Sequence, residues 1–381
     1  MARTIPWLLL CAGLGIAACF LQLDREARRN HALADNVPAM FRGFALEGMA
    51  LRALRAEQVK TSLEYATALV RKRPVPSEHL AMLSLAAATA NQVELSNQAV
   101  LLSARRGWRA PVAQQVIALS AANSGEWTTA SDRLMALWRS GVDEDAIGET
   151  TSQVLSDPGG RTAFAGRLAQ NPASLARFVR WGAEGLEPAT FALTLAEALR
   201  LGSEVDCEDL GQAAGRLLKS GAGDAALQIW TGPCAEGLAK RPASKVIDWS
   251  LRPGEGGVVA GPFDWTYPSK SGLKRSWQEQ GSTWVLDYVN RDPLKALLAE
   301  RYTMLPPGTV RLAVIEQDRK GVARQSAVLR AWCIGADGKR SQLANAIGSV
   351  VLEVPREGCF VQFLQLRVSK GKGIGLNLVA S

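Results

Sequence analysis

The period of the apolar residues divides the chain. From about residue 30 to 240 they recur at helical spacing, and from about 245 to 381 they alternate over short runs. In GEWTTASDRLMALWRSG (residues 125–141), Trp127, Ala130, Leu134, Leu137 and Trp138 share one face of a helix. Pro111 occupies a first-turn position, Ser77 after Pro76 reads as an N-cap, and Gly107 and Gly141 read as stops. Further helices are expected in ASLARFVRWGAEG, TFALTLAEALRLG, DCEDLGQAAGRLLKSG and DAALQIW. The Gly- and Pro-dense stretches GPCAEGLAKRPASK and LRPGEGG mark the switch of period. Strands are then expected in STWVLDYVN, GTVRLAVIEQD, SAVLRAWCIG, GSVVLEVP, CFVQFLQLRVS and IGLNLVAS, with FDWTYP as a first strand and GKGIG as a loop. DPLKALLAERYTM fits either a loop plus strand or a short helix. Short strands at this spacing predict an antiparallel β-sandwich or jelly roll.

Gly107 and Gly141 are 34 residues apart, and the helical half matches itself at that shift. Leu83 meets Ile117, Leu85 meets Leu119, Ala87 and Ala88 meet Ala121 and Ala122, and Val100 meets Leu134. Leu51 meets Leu85 and Ala66 meets Val100. The match is clear over residues 42–142 and looser afterwards. The pattern resembles the tetratricopeptide repeat: 34 residues, two helices, small residues where the helices approach. That resemblance implies an α-solenoid with a long surface for a protein partner. A stalk without a partner is the alternative. The basic groups Arg71–Arg73 and Arg105–Arg106 fall in register on this repeat, as one ridge or as ordinary charges at helix C-termini.

Residues Thr4–Leu23 carry no charge. At 1.5 Å per residue this segment is about 28 Å long, close to the roughly 30 Å hydrocarbon core of a bilayer. It predicts a transmembrane signal-anchor in the bacterial inner membrane. The alternative is a lipoprotein signal, in which Ile16-Ala17-Ala18-Cys19 resembles a lipobox and Cys19 carries the lipid. Three arginines after the segment against one before it favour a cytoplasmic bulk. The cysteines oppose this. Besides Cys11 and Cys19 there are four: Cys207, Cys234, Cys333 and Cys359, in two sequence-local pairs. None forms C-x-x-C and no His is near, so no metal site is expected. Disulfides Cys207–Cys234 and Cys333–Cys359 are expected, with four buried thiols as the alternative. Disulfides persist in the periplasm rather than the cytosol, which places the bulk of the chain there.

The expected organisation is therefore multidomain α + β. It comprises a signal-anchor over 1–29, a tetratricopeptide-like helical domain over 30–240, a linker over 241–262 and a β-sandwich over 263–381. The net charge of +8 is spread without a run of five Lys/Arg, which argues against nucleic acid. His31 and His79 are the only histidines, so histidine-based catalysis is poorly supplied. GEGG (254–257) lacks a dinucleotide context, and no G-x-S-x-G, H-E-x-x-H or calcium loop occurs. No cofactor and no enzymatic activity are expected.

The order PFDW, LPPG, AWCIG and VPREGCFVQFLQL carries a second resemblance. Phe263-Asp264-Trp265, Leu305-Pro306-Pro307-Gly308, Trp332-Cys333 and Gly358-Cys359 look like the C-terminal β-domain of membrane-anchored, repeat-containing bacterial proteins of exopolysaccharide systems. Val310 stands where Tyr is usual. The resemblance implies a jelly roll similar to carbohydrate-binding modules. Candidate sugar contacts are Tyr267, Lys270, Trp277 and Trp284, because aromatic rings accept the C–H face of a sugar with polar groups around it. Phe263 and Trp265 are expected in the core, since period 2 puts them on one face of a strand. The expected function is a non-enzymatic, membrane-anchored periplasmic scaffold in polysaccharide assembly or export. The alternatives are a glycan-modifying enzyme and a structural spacer.

Overall fold

Helices occupy the first part of the chain and strands the last. The computed structural model describes residues 4–107, 110–141, 144–235, 249–252, 261–280, 283–317 and 326–380. The expected linker 241–262 and the GEGG stretch lie largely outside the described residues. The side chains of Thr4, Ile5, Pro6 and Leu8 also lie outside them. The chain forms two units, residues 1–164 and 165–381.

The first unit begins with α1 (Thr4–Glu26), whose Trp7, Leu9, Leu10, Leu14, Ile16 and Leu21 are exposed. Among the described residues, no helix is long and apolar enough to cross a membrane. The end of α1 is tied to α2 (Ala45–Arg55). Asp24, 5% exposed, accepts hydrogen bonds from the backbone N–H groups of Gly43, Phe44 and Ala45 at 2.8–2.9 Å. This satisfies the unpaired donors that every helix start carries. Arg73 stacks 3.6 Å over Phe44 beside this cap.

Helical hairpins follow: α2 with α3 (Val59–Lys72), α4 (Ser77–Thr89) with α5 (Val93–Arg106), and α6 (Pro111–Asn123) with α7 (Trp127–Arg139), then α8 (Glu144–Ser156) and α9 (Pro158–Ala169). The first helices of successive pairs start at 45, 77, 111 and 144, steps of 32, 34 and 33 residues. The repeat is sharper in the turns that close the first three hairpins. Glu57, Asn91 and Gly125 have φ of 55°, 56° and 73°, and they are spaced by 34. In each turn the next residue donates five residues back: Gln58 to Ala53, Gln92 to Ala87, Glu126 to Ala121. This is the 6→1 closure of a helix by a left-handed residue. Ala66, Ala87, Val100, Ala121 and Leu134, matched by the 34-residue shift, are buried, whereas Leu85 of the same series is exposed. Part of the expected basic ridge is engaged by loop carbonyls. Lys72 donates to the carbonyls of Ala39 and Arg42, and Arg106 donates to Pro74 O.

The second unit carries α10 (Pro172–Gly185), α11 (Pro188–Arg200), α12 (Cys207–Lys219) and α13 (Gly223–Ile229). Among the described residues nine strands follow: β1 (Leu273–Gln280), β2 (Thr283–Asn290), β3 (Ala296–Thr303), β4 (Gly308–Gln317), β5 (Ala327–Ile334), β6 (Arg340–Ile347), β7 (Ser349–Val354), β8 (Val361–Val368) and β9 (Gly371–Ala380). They form two antiparallel sheets, β1-β2-β9-β4-β7 and β3-β8-β5-β6. Leu286, Leu312, Val314, Leu376 and Leu378 from one sheet and Leu298, Leu329, Leu364 and Leu366 from the other form the core between them. This is the expected sandwich.

Two strand assignments change. FDWTYP is not a strand but makes a single bridge, Thr266 to Glu300 on β3. GKGIG is not a loop but the start of β9. There Gly373 is needed because a Cβ would sit 2.3 Å from the Tyr288 ring and 2.4 Å from Glu316 Oε1. DPLKALLAERYTM yields β3 rather than a helix.

Both expected disulfides are present, Cys207–Cys234 and Cys333–Cys359, with Cα separations of 5.4 and 5.3 Å. The first ties the start of α12 to the 3-10 turn Gly232–Ala235 that follows α13; the second ties β5 to the entry of β8. They indicate an extracytoplasmic location. Cys333→Ser with Cys359→Ser should cost about 3–4 kcal/mol on the chain-entropy estimate, read by urea unfolding of the oxidised chain. Glu57→Gly should raise stability by about 0.5–1 kcal/mol, because it relieves a left-handed residue bearing a Cβ; thermal unfolding measures this.

Candidate functional site

The four-stranded sheet has two unlike faces. Along β8, Gln362, Leu364, Leu366 and Val368 turn inward and are buried, which turns Phe363, Gln365 and Arg367 outward. On β5, Leu329, Ala331 and Cys333 point in and Arg330 and Trp332 point out; on β3, Ala299, Arg301 and Thr303 point in and Glu300 and Tyr302 point out. The register aligns the outward residues into rows. Tyr302 is opposite Phe363, Phe363 opposite Trp332, and Trp332 opposite Gln342. The next row reads Glu300, Gln365, Arg330, Asn345.

The first row is a stack of rings. Tyr302 and Phe363 have centroids 4.7 Å apart at 33°, and Phe363 and Trp332 5.8 Å apart at 31°. Neighbouring strands are about 4.8 Å apart, so rings this close and this nearly parallel stand up from the sheet and form a ridge. Phe363, at the centre, is 4% exposed, and Tyr302 and Trp332 are half-buried. Arg340 of β6 reaches over the ridge, its guanidinium carbon 4.7 Å from the Phe363 centroid, and remains exposed. Burial pushes the Tyr302 phenol up, against the pull of Arg340 beside it. In the second row Gln365 donates to Glu300 at 3.0 Å, and Arg330 donates to Asn345 at 3.3 Å. A rigid aromatic ridge beside a line of donors and acceptors can hold a flat, partly apolar, hydroxyl-rich ligand. Among the described residues, no group of three His, Cys, Asp or Glu could hold a metal ion.

The sequence-predicted residues lie elsewhere: Trp277 and Trp284 on β1 and β2 of the five-stranded sheet, Tyr267 and Lys270 in the segment before β1. Tyr267 and Trp277 meet edge to face, with centroids 5.1 Å apart, and both pack partly buried against the core. Tyr267 Oη donates to Arg252 O at 2.8 Å, and burial holds its phenol well above its ordinary pKa. Arg275, beside them, donates to the carbonyls of Pro268, Leu297 and Leu298. Lys270 pairs with Asp292 at 2.7 Å, at the end of the β1–β2 hairpin where Leu273 faces Asn290. Trp284, half-buried, lies at the other end, facing Glu279. Only Tyr267 and Trp277 are thus brought together. Phe263 and Trp265 are in the core as expected, at 5% and 6% exposure. With them sits Arg301, its guanidinium 5.6 and 5.8 Å from the Trp249 and Trp265 rings.

No family model matches the chain, and no curated protein matches it. Solved structures similar to it include the N-terminal CBM22-1–GH10 modules of Clostridium thermocellum endo-1,4-beta-D-xylanase 10B complexed with xylohexaose. That match has 11% identity over 31% of this chain and 26% of that one, with a TM-score of 0.22. A second is the CBM22-1 xylan-binding domain of Paenibacillus barcinonensis Xyn10C, at 12% identity over 30% of this chain and 85% of that one, TM-score 0.22. A third is the C-terminal family 22 carbohydrate binding module of Clostridium thermocellum Xyn10B, at 12% identity over 30% and 82%, TM-score 0.21. The chain spans about a quarter of the first of these. At such TM-scores the similarity has no bearing on function.

The ridge was missed because each aromatic stands alone in its strand. The signal available was a partial parity: Trp332 shares its parity with Arg330, and Phe363 with Gln365 and Arg367, although Val328, Ile334 and Val361 share it too. Phe363→Ala should cost about 3–5 kcal/mol, as expected for a buried ring, and Trp332→Ala clearly less; paired urea titrations test the ordering.

Proposed function

We propose that this chain is a non-enzymatic, extracytoplasmic binding protein whose β-sandwich holds polysaccharide along the Tyr302–Phe363–Trp332 ridge. That ridge is the observation that carries the reading. Tyr302 and Trp332, half-buried and held by the sheet register on either side of the buried Phe363, give C–H surfaces of a sugar a rigid partner at little entropic cost, and the row Glu300, Gln365, Arg330 and Asn345 supplies hydrogen bonds to hydroxyls. The absence of turnover is part of the proposal.

The same reading places α1 in the bacterial inner membrane with the rest of the chain in the periplasm. Its support is the uncharged sequence Thr4–Leu23, the exposed apolar side chains along α1 and the two disulfides. The helical hairpins are the surface for a protein partner, and the setting is polysaccharide assembly or export. The support for a partner is the repeat itself, which lays out successive helix pairs without a preformed catalytic pocket.

The test uses the full chain in detergent micelles, by affinity electrophoresis against soluble polysaccharides with a reducing-end assay run in parallel. Retardation by at least one polymer, no release of reducing ends, and loss of at least about tenfold in affinity in Trp332→Ala (1.4 kcal/mol) are expected. Release of reducing ends makes the chain a glycan-modifying enzyme instead; absence of retardation leaves a structural spacer. A periplasm-active reporter fused after Ser381 should be active, and a cytoplasm-active one silent.

A further inference from the structure

The ridge carries a charge that a neutral sugar does not need. The outward face of the four-stranded sheet bears Arg330, Arg340 and Arg367 among its described residues, against the single carboxylate of Glu300. That carboxylate is engaged by Gln365. In the β5–β6 turn, Asp337 is taken by Lys339 at 2.8 Å. Arg367 donates to Lys295 O and Arg330 to Asn345. Arg340 differs. It is exposed, it is oriented by the Phe363 ring beneath it, and no carboxylate among the described residues lies within ion-pair distance of it.

Arg340 lies over the Phe363 ring and hydrogen-bonds the Tyr302 phenol with one donor, which leaves it an edge of further N–H donors for a ligand. Such an edge fits a planar carboxylate with two parallel hydrogen bonds. Because stacking has already restricted the side chain, less rotamer entropy is lost on binding. The half-buried rings of Tyr302 and Trp332 on either side provide contact for a pyranose C–H face, so a carboxylate on the sugar ring itself satisfies both features at once.

We propose that the ridge selects an acidic polysaccharide, a polymer bearing uronate carboxylates, with Arg340 as the residue that reads the acid. The proposal rests on the reading of this face as a glycan site. It explains why an exposed cation lies over the ridge rather than a neutral amide.

The experiment compares polygalacturonate with the same polymer after its carboxyl groups have been reduced to alcohols. The full chain is titrated in detergent micelles at low and at 0.5 M NaCl. Polygalacturonate should bind at least about tenfold more tightly than the reduced polymer at low salt, a gap that narrows as salt screens the pair. Arg340→Gln should remove the difference in affinity between the two polymers, and Trp332→Ala should weaken both polymers while preserving that difference. Equal affinity for the two polymers, or a preference that survives Arg340→Gln, overturns the assignment of acid selection but leaves the glycan site standing. Failure of the wild-type chain to bind either polymer removes the glycan site as well. Polyglutamate binding as tightly as polygalacturonate, and through Arg340, overturns the assignment in favour of plain charge recognition. Should Arg340→Gln lower the melting temperature, Arg340→Lys decides: it keeps the charge without the planar fork, and should lose most of the preference.

Discussion

Strand β8 cannot place Leu364 and Leu366 between the sheets without turning Phe363, Gln365 and Arg367 the other way. That alternation governs what the sandwich can do. Burial of the aliphatic parity fixes the register of β8 against β3 and β5 on either side. The register then sets Tyr302, Phe363 and Trp332 side by side. A slip of one residue in either pairing would bury the ridge and expose the leucines. The ridge is held by the core's demand for apolar contact, and its own ring contacts add to this.

The helical part obeys a different constraint. Each of the first three hairpins must turn its chain back over one residue in the left-handed region, and this residue recurs at 57, 91 and 125. The helices and the period of 34 were legible, because alanines and leucines repeat where the helices approach. The turn residue was not. Glu, Asn and Gly occupy the same place, and only the glycine signals its conformation by type. Beyond α7 the legibility fades for a physical reason. Helix pairs can keep packing while their connections vary, so α8 and α9 are joined through Asp157 alone whereas α11 and α12 are separated by residues 201–206.

In the β-region, the sandwich, both disulfides and the core positions of Phe263 and Trp265 could be read from alternation and cysteine spacing. The row of rings on the four-stranded sheet could not. Tyr267 and Trp277 stood among Lys, Pro and Arg and looked wet, yet Arg275 spends its guanidinium on three backbone carbonyls, so the charge there ties loops together and the rings pack beside it. Arg301 shows the converse: it sits on the core parity, 6% exposed, between two tryptophans. GKGIG looked like a loop because nothing local shows that Tyr288 and Glu316 will press against Gly373. Short polar and glycine-rich motifs reveal composition, while partners from other elements of the chain decide whether they face water.

One contact in the second unit sets how the protein can be divided. The turn after α12 touches the sandwich so closely that a Cβ on Gly221 would lie 2.0 Å from Gly335 O, and one on Gly223 would lie 2.8 Å from the Met304 thioether and 3.0 Å from Val361. Both sulfur bridges flank this seam: Cys207–Cys234 brackets the helices on one side, and Cys333–Cys359 joins the two strand ends on the other. A cut at the composition change near residue 245 would separate surfaces that shield one another and leave the Met304 and Val361 rim wet. A truncated sandwich intended for crystals or glycan arrays is therefore better started ahead of α12, so that the rim keeps its lid.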